Sequence, residues 1–200
     1  MITLIRSELY RMATIRSSWV SIAAFGTLGL SLGIISADMW GLMAGIGSFG
    51  LAVMGVTQHY QHRTAILLYL ARPRRLLVLL AQLVTAVLVA VVFTALSGIT
   101  TLMQGESAYY RRTLTVAAVM AVFGAASAAI ARRAAYLFIG FSAWVLLIEG
   151  MYGGLTLPLP FTSYLQAVAA ETGALRTFEL WTLAVVAGAV LAVHRDVRSD

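Results

Sequence analysis

Residues 76–102 read LLVLLAQLVTAVLVAVVFTALSGITTL, an unbroken run without a charged side chain. About 20 mostly apolar residues carry an α-helix across the hydrocarbon core of a bilayer. This stretch therefore predicts one span, with length left over for tilt or protrusion. Working outward, apolar runs at 19–37 and 39–57 predict two spans before it, and runs at 114–131, 134–151 and 178–193 predict three after it. The composition agrees: 60% of the side chains are apolar and 11% charged, with a mean hydropathy of +0.89. A soluble domain carries about 25% charge. The expected fold is an all-α integral membrane protein with six transmembrane helices.

The segments between the runs divide the chain. Residues 1–18 place Ile2, Ile5, Leu9 and Met12 at helical spacing with Arg6, Glu8 and Arg11 mostly opposite, the pattern of an amphipathic interfacial helix. Charge is spread through them, unlike a signal peptide. Residues 19–194 form the expected six-span domain and 195–200 a cytoplasmic tail. Within the domain, 58–75 is the most polar stretch, and a helix from about Tyr60 to Ala71 is expected to end before Pro73. The long 153–177 connection holds Pro158, Pro160, Glu171 and Arg176. Gly29 and Gly33, and likewise Gly41 and Gly45, have the spacing that lets helices approach closely, within the chain or between copies.

All 14 basic residues are arginine. With the N-terminus inside, eleven of them (6, 11, 16, 63, 72, 74, 75, 132, 133, 195 and 198) fall on the inner side, and Arg111, Arg112 and Arg176 on the outer. That bias predicts a multi-pass protein with both termini cytoplasmic. No basic stripe is interleaved with stacking aromatics, so nucleic acid is not an expected partner. Asp38, Glu106, Glu149, Glu171 and Glu179 fall at or near the outer surface.

Little catalytic chemistry is open to these residues. There is no lysine for a phosphate-binding loop and no cysteine for a disulfide or thiolate. Ser48 and His194 are too far apart along the expected topology for a nucleophile and its base. His59 and His62 lack further metal ligands. No ionisable residue falls near the middle of a span, which disfavours an ion-coupled carrier. Glu149, near the end of the fifth span, is expected to reach the outer interface.

The 58–75 segment holds His59-Tyr60-Gln61-His62-Arg63-Thr64, then Arg72-Pro73-Arg74-Arg75, then Ala81-Gln82. Preceded by an amphipathic helix and two spans and followed by four more, it resembles the permease subunits of bacterial type 2 ABC exporters. Their corresponding segment commonly reads acid-Tyr-Arg-His-Gly-Thr, an apolar helix, Pro-Arg-Arg and later Ala-Lys. Tyr60, His62, Thr64, Pro73, Arg74 and Arg75 match, while His59, Gln61, Arg63 and Gln82 replace the acid, Arg, Gly and Lys.

The resemblance implies a coupling helix docking on a separate cytosolic ATP-binding cassette subunit, with contacts at Tyr60, His62, Thr64, Ile66 and Leu70. Arg74 and Arg75 would hold the segment to anionic lipid or to an acidic rim. It further implies the bacterial cytoplasmic membrane, a second permease chain as homodimer or heterodimer partner, no cofactor in this chain, and ATP and Mg on the partner. The 153–177 loop would fold back to cap the exit. If the first, second and fifth spans line a dimer cleft, Phe25, Trp40, Phe49, Met54 and Trp144 give it an uncharged aromatic wall for an amphipathic or apolar cargo. The same five residues would serve equally as packing. Two other classes fit the composition: a non-transporting anchor or immunity platform, and a secondary carrier dependent on Glu149 or Asp38.

Overall fold

The computed structural model describes residues 2–14, 16–61 and 75–195, with the side chains of 2, 3, 13, 16–18, 59–61 and 75 excepted. The described residues are helical with short turns. The elements are α1 (Ile2–Thr14), α2 (Arg16–Ile35), α3 (Ala37–Gln61), α4 (Arg75–Ser97), α5 (Ile99–Met103), α6 (Ser107–Ala131), α7 (Ala134–Ala143) running into a π-helix (Trp144–Tyr152), α8 (Pro160–Val168) and α9 (Ala174–Arg195). Five helical segments are long and apolar enough to cross a membrane: 37–58, 76–97, 107–131, 134–152 and 174–195. The apolar part of α2, Trp19–Ile35, is shorter.

α6 is the centre of the bundle. It packs along α3, α4 and α9, and its alanines and glycine at 117, 121, 124, 125, 126, 128 and 129 are buried. Small side chains let neighbouring backbones close in without the hydrophobic drive available in water. Gly124 lies against the Phe49 backbone, where an added Cβ would meet the Phe49 carbonyl oxygen at 3.0 Å. The α7 helix and its π extension are almost wholly uncovered: Tyr136, Ile139, Leu146, Leu147, Met151 and Tyr152 are exposed.

Three boundaries differ from the sequence expectation. The 76–102 run is divided at Gly98 into α4 and α5, although the Gly98 N–H still bonds the Thr94 carbonyl and the Leu102 N–H the Gly98 carbonyl, each at 3.0 Å; the Trp40 indole fills the space a side chain at 98 would need. The turn between α2 and α3 lies at Ser36, whose hydroxyl accepts from the Met39 N–H at 3.1 Å, leaving Asp38 in the first turn of α3. The 153–177 connection contains α8, and α9 begins at Ala174, ahead of the expected 178. Pro160 opens α8 at a position where its missing N–H costs no hydrogen bond.

α1 presents a mixed face to the bundle. Glu8 and Leu4 are buried, whereas Leu9 is 38% and Tyr10 72% exposed. Met12 lies against Gly55, and Arg11 ties the helix to the same turn of α3: its guanidinium donates to the Gly55 carbonyl at 2.9 Å, to Gln58 Oε1 at 3.3 Å and to Glu8 Oε2 at 3.2 Å. α1 packs mainly along α4 and α2.

Candidate functional site

α3 runs without a break from Ala37 to Gln61, about 37 Å at 1.5 Å per residue, and three features are strung along it. At its first turns, Gly41 and Gly45 receive tyrosines. The Tyr164 hydroxyl of α8 donates to the Gly41 carbonyl at 2.8 Å. A Cβ at Gly45 would overlap the Tyr164 ring, and one at Gly41 the Tyr109 hydroxyl. These glycines thus accommodate side chains of the same chain, as do Gly29 and Gly33, which face Ser97, Thr100 and Thr101.

Midway along α3 is a cavity of about 370 Å³ between α2, α3 and α7. Phe25 of α2, Phe49 of α3, Phe138 and Phe141 of α7, and Phe161 of α8 line it. Phe49 stacks on Phe141 with ring centroids 4.1 Å apart, and Phe161 meets Phe141 edge-on at 6.0 Å. Such pairings favour uncharged, flat or chain-like contacts over ions. Ser142 is the polar side chain of the lining.

Phe161 is held over this cavity by an unusual device. Glu149, in the π-helix, is fully buried and turned inward, where the sequence had placed it reaching the outer interface. Its Oε1 accepts from the Trp144 indole at 2.8 Å and the Phe161 N–H at 3.1 Å. Its Oε2 accepts from the Thr162 N–H at 2.5 Å and the Thr162 hydroxyl at 2.7 Å. The carboxylate occupies the position of an N-cap, binding the open N–H groups at the positive end of α8 from another element. Four acceptor contacts satisfy a buried charge that would otherwise be costly.

The C-terminal end of α3 carries the third feature, the Arg11 clamp on Gly55 and Gln58 just before Gln61. Tyr60 belongs to the last turn of α3 and Arg75 to the first of α4, but their side chains lie outside the described residues. His62, Thr64, Ile66, Leu70 and Arg74 also lie outside them, as does the expected helix after Tyr60.

Of the aromatic-wall residues, the structure brings Phe25 and Phe49 together in the cavity. Trp40 does not line it. The indole is fully buried, stacks on Tyr110 at 5.6 Å and donates to Ser97 Oγ at 3.2 Å. Met54 is half-buried beside Ser21, whose hydroxyl reaches its sulfur at 3.5 Å. Trp144 serves Glu149. The sequence did not single out Phe138, Phe141 or Phe161, nor the capping role of Glu149; the aromatic spacing 138–141 was the available signal. Ser48 bonds to Thr94 at 3.3 Å inside the bundle, and His194 is exposed at the end of α9. Among the described residues no group of three His, Cys, Asp or Glu side chains could hold a metal. Comparison with family models, curated proteins and solved structures gives no match.

Proposed function

We propose that this chain is the membrane-spanning permease subunit of an ATP-driven exporter of the type 2 ABC class. In this reading α2 crosses the bilayer as the sixth span, two permease chains pair, and a separate cytosolic subunit binds and hydrolyses ATP with its Mg. The cargo is amphipathic or apolar. The observation that carries the reading is the continuity of α3. One rigid helix links the α8 helix, the aromatic cavity and the Arg11 clamp to the edge of the segment whose Tyr60, His62, Thr64 and Pro-Arg-Arg residues resemble a coupling helix.

A pull on the coupling segment would pass along α3 to Phe49 and Tyr164 together, because a packed helix moves as a body and not by stretching. ATP-driven closure of the partner subunits would then change the cavity and its α8 roof in one step. Tyr60→Ala/His62→Ala is expected to leave the chain folded while ATP hydrolysis by the partner no longer drives transport. Purification from native membranes in mild detergent should bring an ATP-binding subunit with vanadate-sensitive turnover. A chain that arrives alone, with no ATPase activity and with transport unchanged in the double variant, would overturn the reading.

Glu149 gives a carrier reading its one foothold, as a buried carboxylate in an apolar helix. Its two oxygens, however, already accept four protein donors. Transport abolished by a proton uncoupler at constant ATP would favour the carrier.

A further inference from the structure

A second cavity, also of about 370 Å³, opens between the start of α6 and the turn joining α8 to α9. Tyr109, in the same turn of α6, lies against Gly41, so the cavity is at the α3 N-terminal end of the bundle. By the arginine distribution this is the outer end. Arg111, Arg112 and Thr115 stand along one side, Glu171 sits opposite, and Val116, Ala167 and Leu175 make an apolar floor.

The charges here are unspent. Both arginines and Glu171 are exposed, and neither guanidinium forms an ion pair with Glu171. The Arg112 guanidinium lies 6.0 Å from the centroid of the Tyr109 ring, and the Arg111 guanidinium has no partner among the described residues. Two of the three arginines on the arginine-poor side of the protein thus meet at one cavity, over a floor that water solvates badly. A cationic rim above an apolar floor is complementary to a molecule with a negative head and a hydrocarbon tail.

We infer that this cavity binds the headgroup of an anionic phospholipid of the outer leaflet. Its phosphate lies between Arg111 and Arg112, and the first acyl carbons rest on Val116, Ala167 and Leu175; the Thr115 hydroxyl donates to the Arg111 carbonyl at 3.1 Å and takes no part. Guanidinium pairs suit phosphate because their N–H groups match its oxygens two at a time. Glu171 opposes the negative head and sets the affinity below what two arginines alone would give. A lipid seated here touches α6 and the end of α8 together, and so bears on the helix that roofs the aromatic cavity. The site requires a membrane protein but not an exporter.

The test uses the full chain purified in a neutral detergent, with retained lipid counted by native mass spectrometry after exposure to phosphatidylglycerol or phosphatidylcholine, and with glycerol 3-phosphate as soluble competitor. The expected result is selective retention of phosphatidylglycerol, about a thirtyfold loss in Arg111→Gln/Arg112→Gln, and no competition by glycerol 3-phosphate at equal concentration. Glu171→Gln should tighten retention, which keeps the site testable should the double variant fold poorly. Equal retention of the two lipids, or retention unchanged in both variants, would show ordinary boundary lipid and overturn the assignment. Glycerol 3-phosphate competing as well as the lipid would show a phosphate site in which the apolar floor plays no part, and would equally overturn it. Failure here would leave the ATPase and transport tests of the exporter reading untouched.

Discussion

Glu149 is the residue on which the placement of α8 turns. Replacing it with Gln keeps the shape but exchanges a carboxylate oxygen for an NH2 group, which must face N–H or O–H donors that it cannot accept from. Hydrogen bonds to a charged acceptor contribute about 1.5 to 3 kcal/mol each, so Glu149→Gln is expected to cost about 3 kcal/mol and to release α8 before the rest unfolds. Faster amide exchange confined to residues 160–168 would show this; unchanged exchange there would mean that packing of Phe161 and Tyr164 holds α8 without the carboxylate. Gly45 makes a second residue-level case. An added methyl must displace the Tyr164 ring, and overpacking of this kind costs about 1 to 3 kcal/mol. Gly45→Ala should therefore lower the melting temperature, whereas Gly26→Ala, with nothing within 4 Å, should leave it unchanged or raise it.

Among the elements, α1 is tied by Arg11 to the last turns of α3. Arg11→Ala removes three donated hydrogen bonds and leaves Glu8 buried without that cation. Breaking one side of a buried pair costs more than removing both. The single variant should accordingly raise amide exchange across residues 2–14 about tenfold, and Glu8→Ala/Arg11→Ala should recover part of the protection. A double variant no better protected than the single would remove the ion pair as the cause. The contrast with the sequence pattern is instructive here. Apolar runs announce helices because their period and length are local properties, and 39–57, 114–131 and 134–151 fall within described helices accordingly. That Arg11 bonds the Gly55 carbonyl and Gln58, more than forty residues away, is a contact that no local pattern encodes. The room that Trp40 needs at Gly98 is likewise set from far along the chain, and α8 is capped by a carboxylate eleven residues before its first residue. Phe25 and Phe49 are named for a cleft between two chains on a resemblance alone; the structure puts both on a cavity within one chain. Trp40 is named with them, and only the packing of Tyr110 and Ser97 sends it elsewhere.

At the scale of the whole molecule the open quantity is the number of crossings, and α2 decides it. The helix has 20 residues, about 30 Å of rise, which matches the hydrocarbon thickness of about 30 Å only if nearly all of it is used. Its apolar part begins at Trp19, so Arg16 would have to stand at the inner headgroups, where its long side chain can reach water. With α2 crossing, eleven arginines share one side with both termini; with α2 lying flat, Arg6, Arg11 and Arg16 move across and the division becomes eight against six, too even to orient a protein. The chain has no cysteine, so single introduced cysteines report sidedness without background. Thr14→Cys and Arg133→Cys should be protected from a membrane-impermeant maleimide in intact cells and become reactive on permeabilisation. Met39→Cys and Glu171→Cys should react from outside at once. Thr14 and Met39 labelling from the same side would place α2 in the interface and reduce the bundle to five crossings. The two termini would then lie on opposite sides, and α1 could no longer share a compartment with the C-terminal end of α3, to which Arg11 clamps it. Because the Arg11 contacts to Gly55 and Gln58 fix α1 at that end, the six-crossing arrangement is the one in which helix packing and arginine distribution agree.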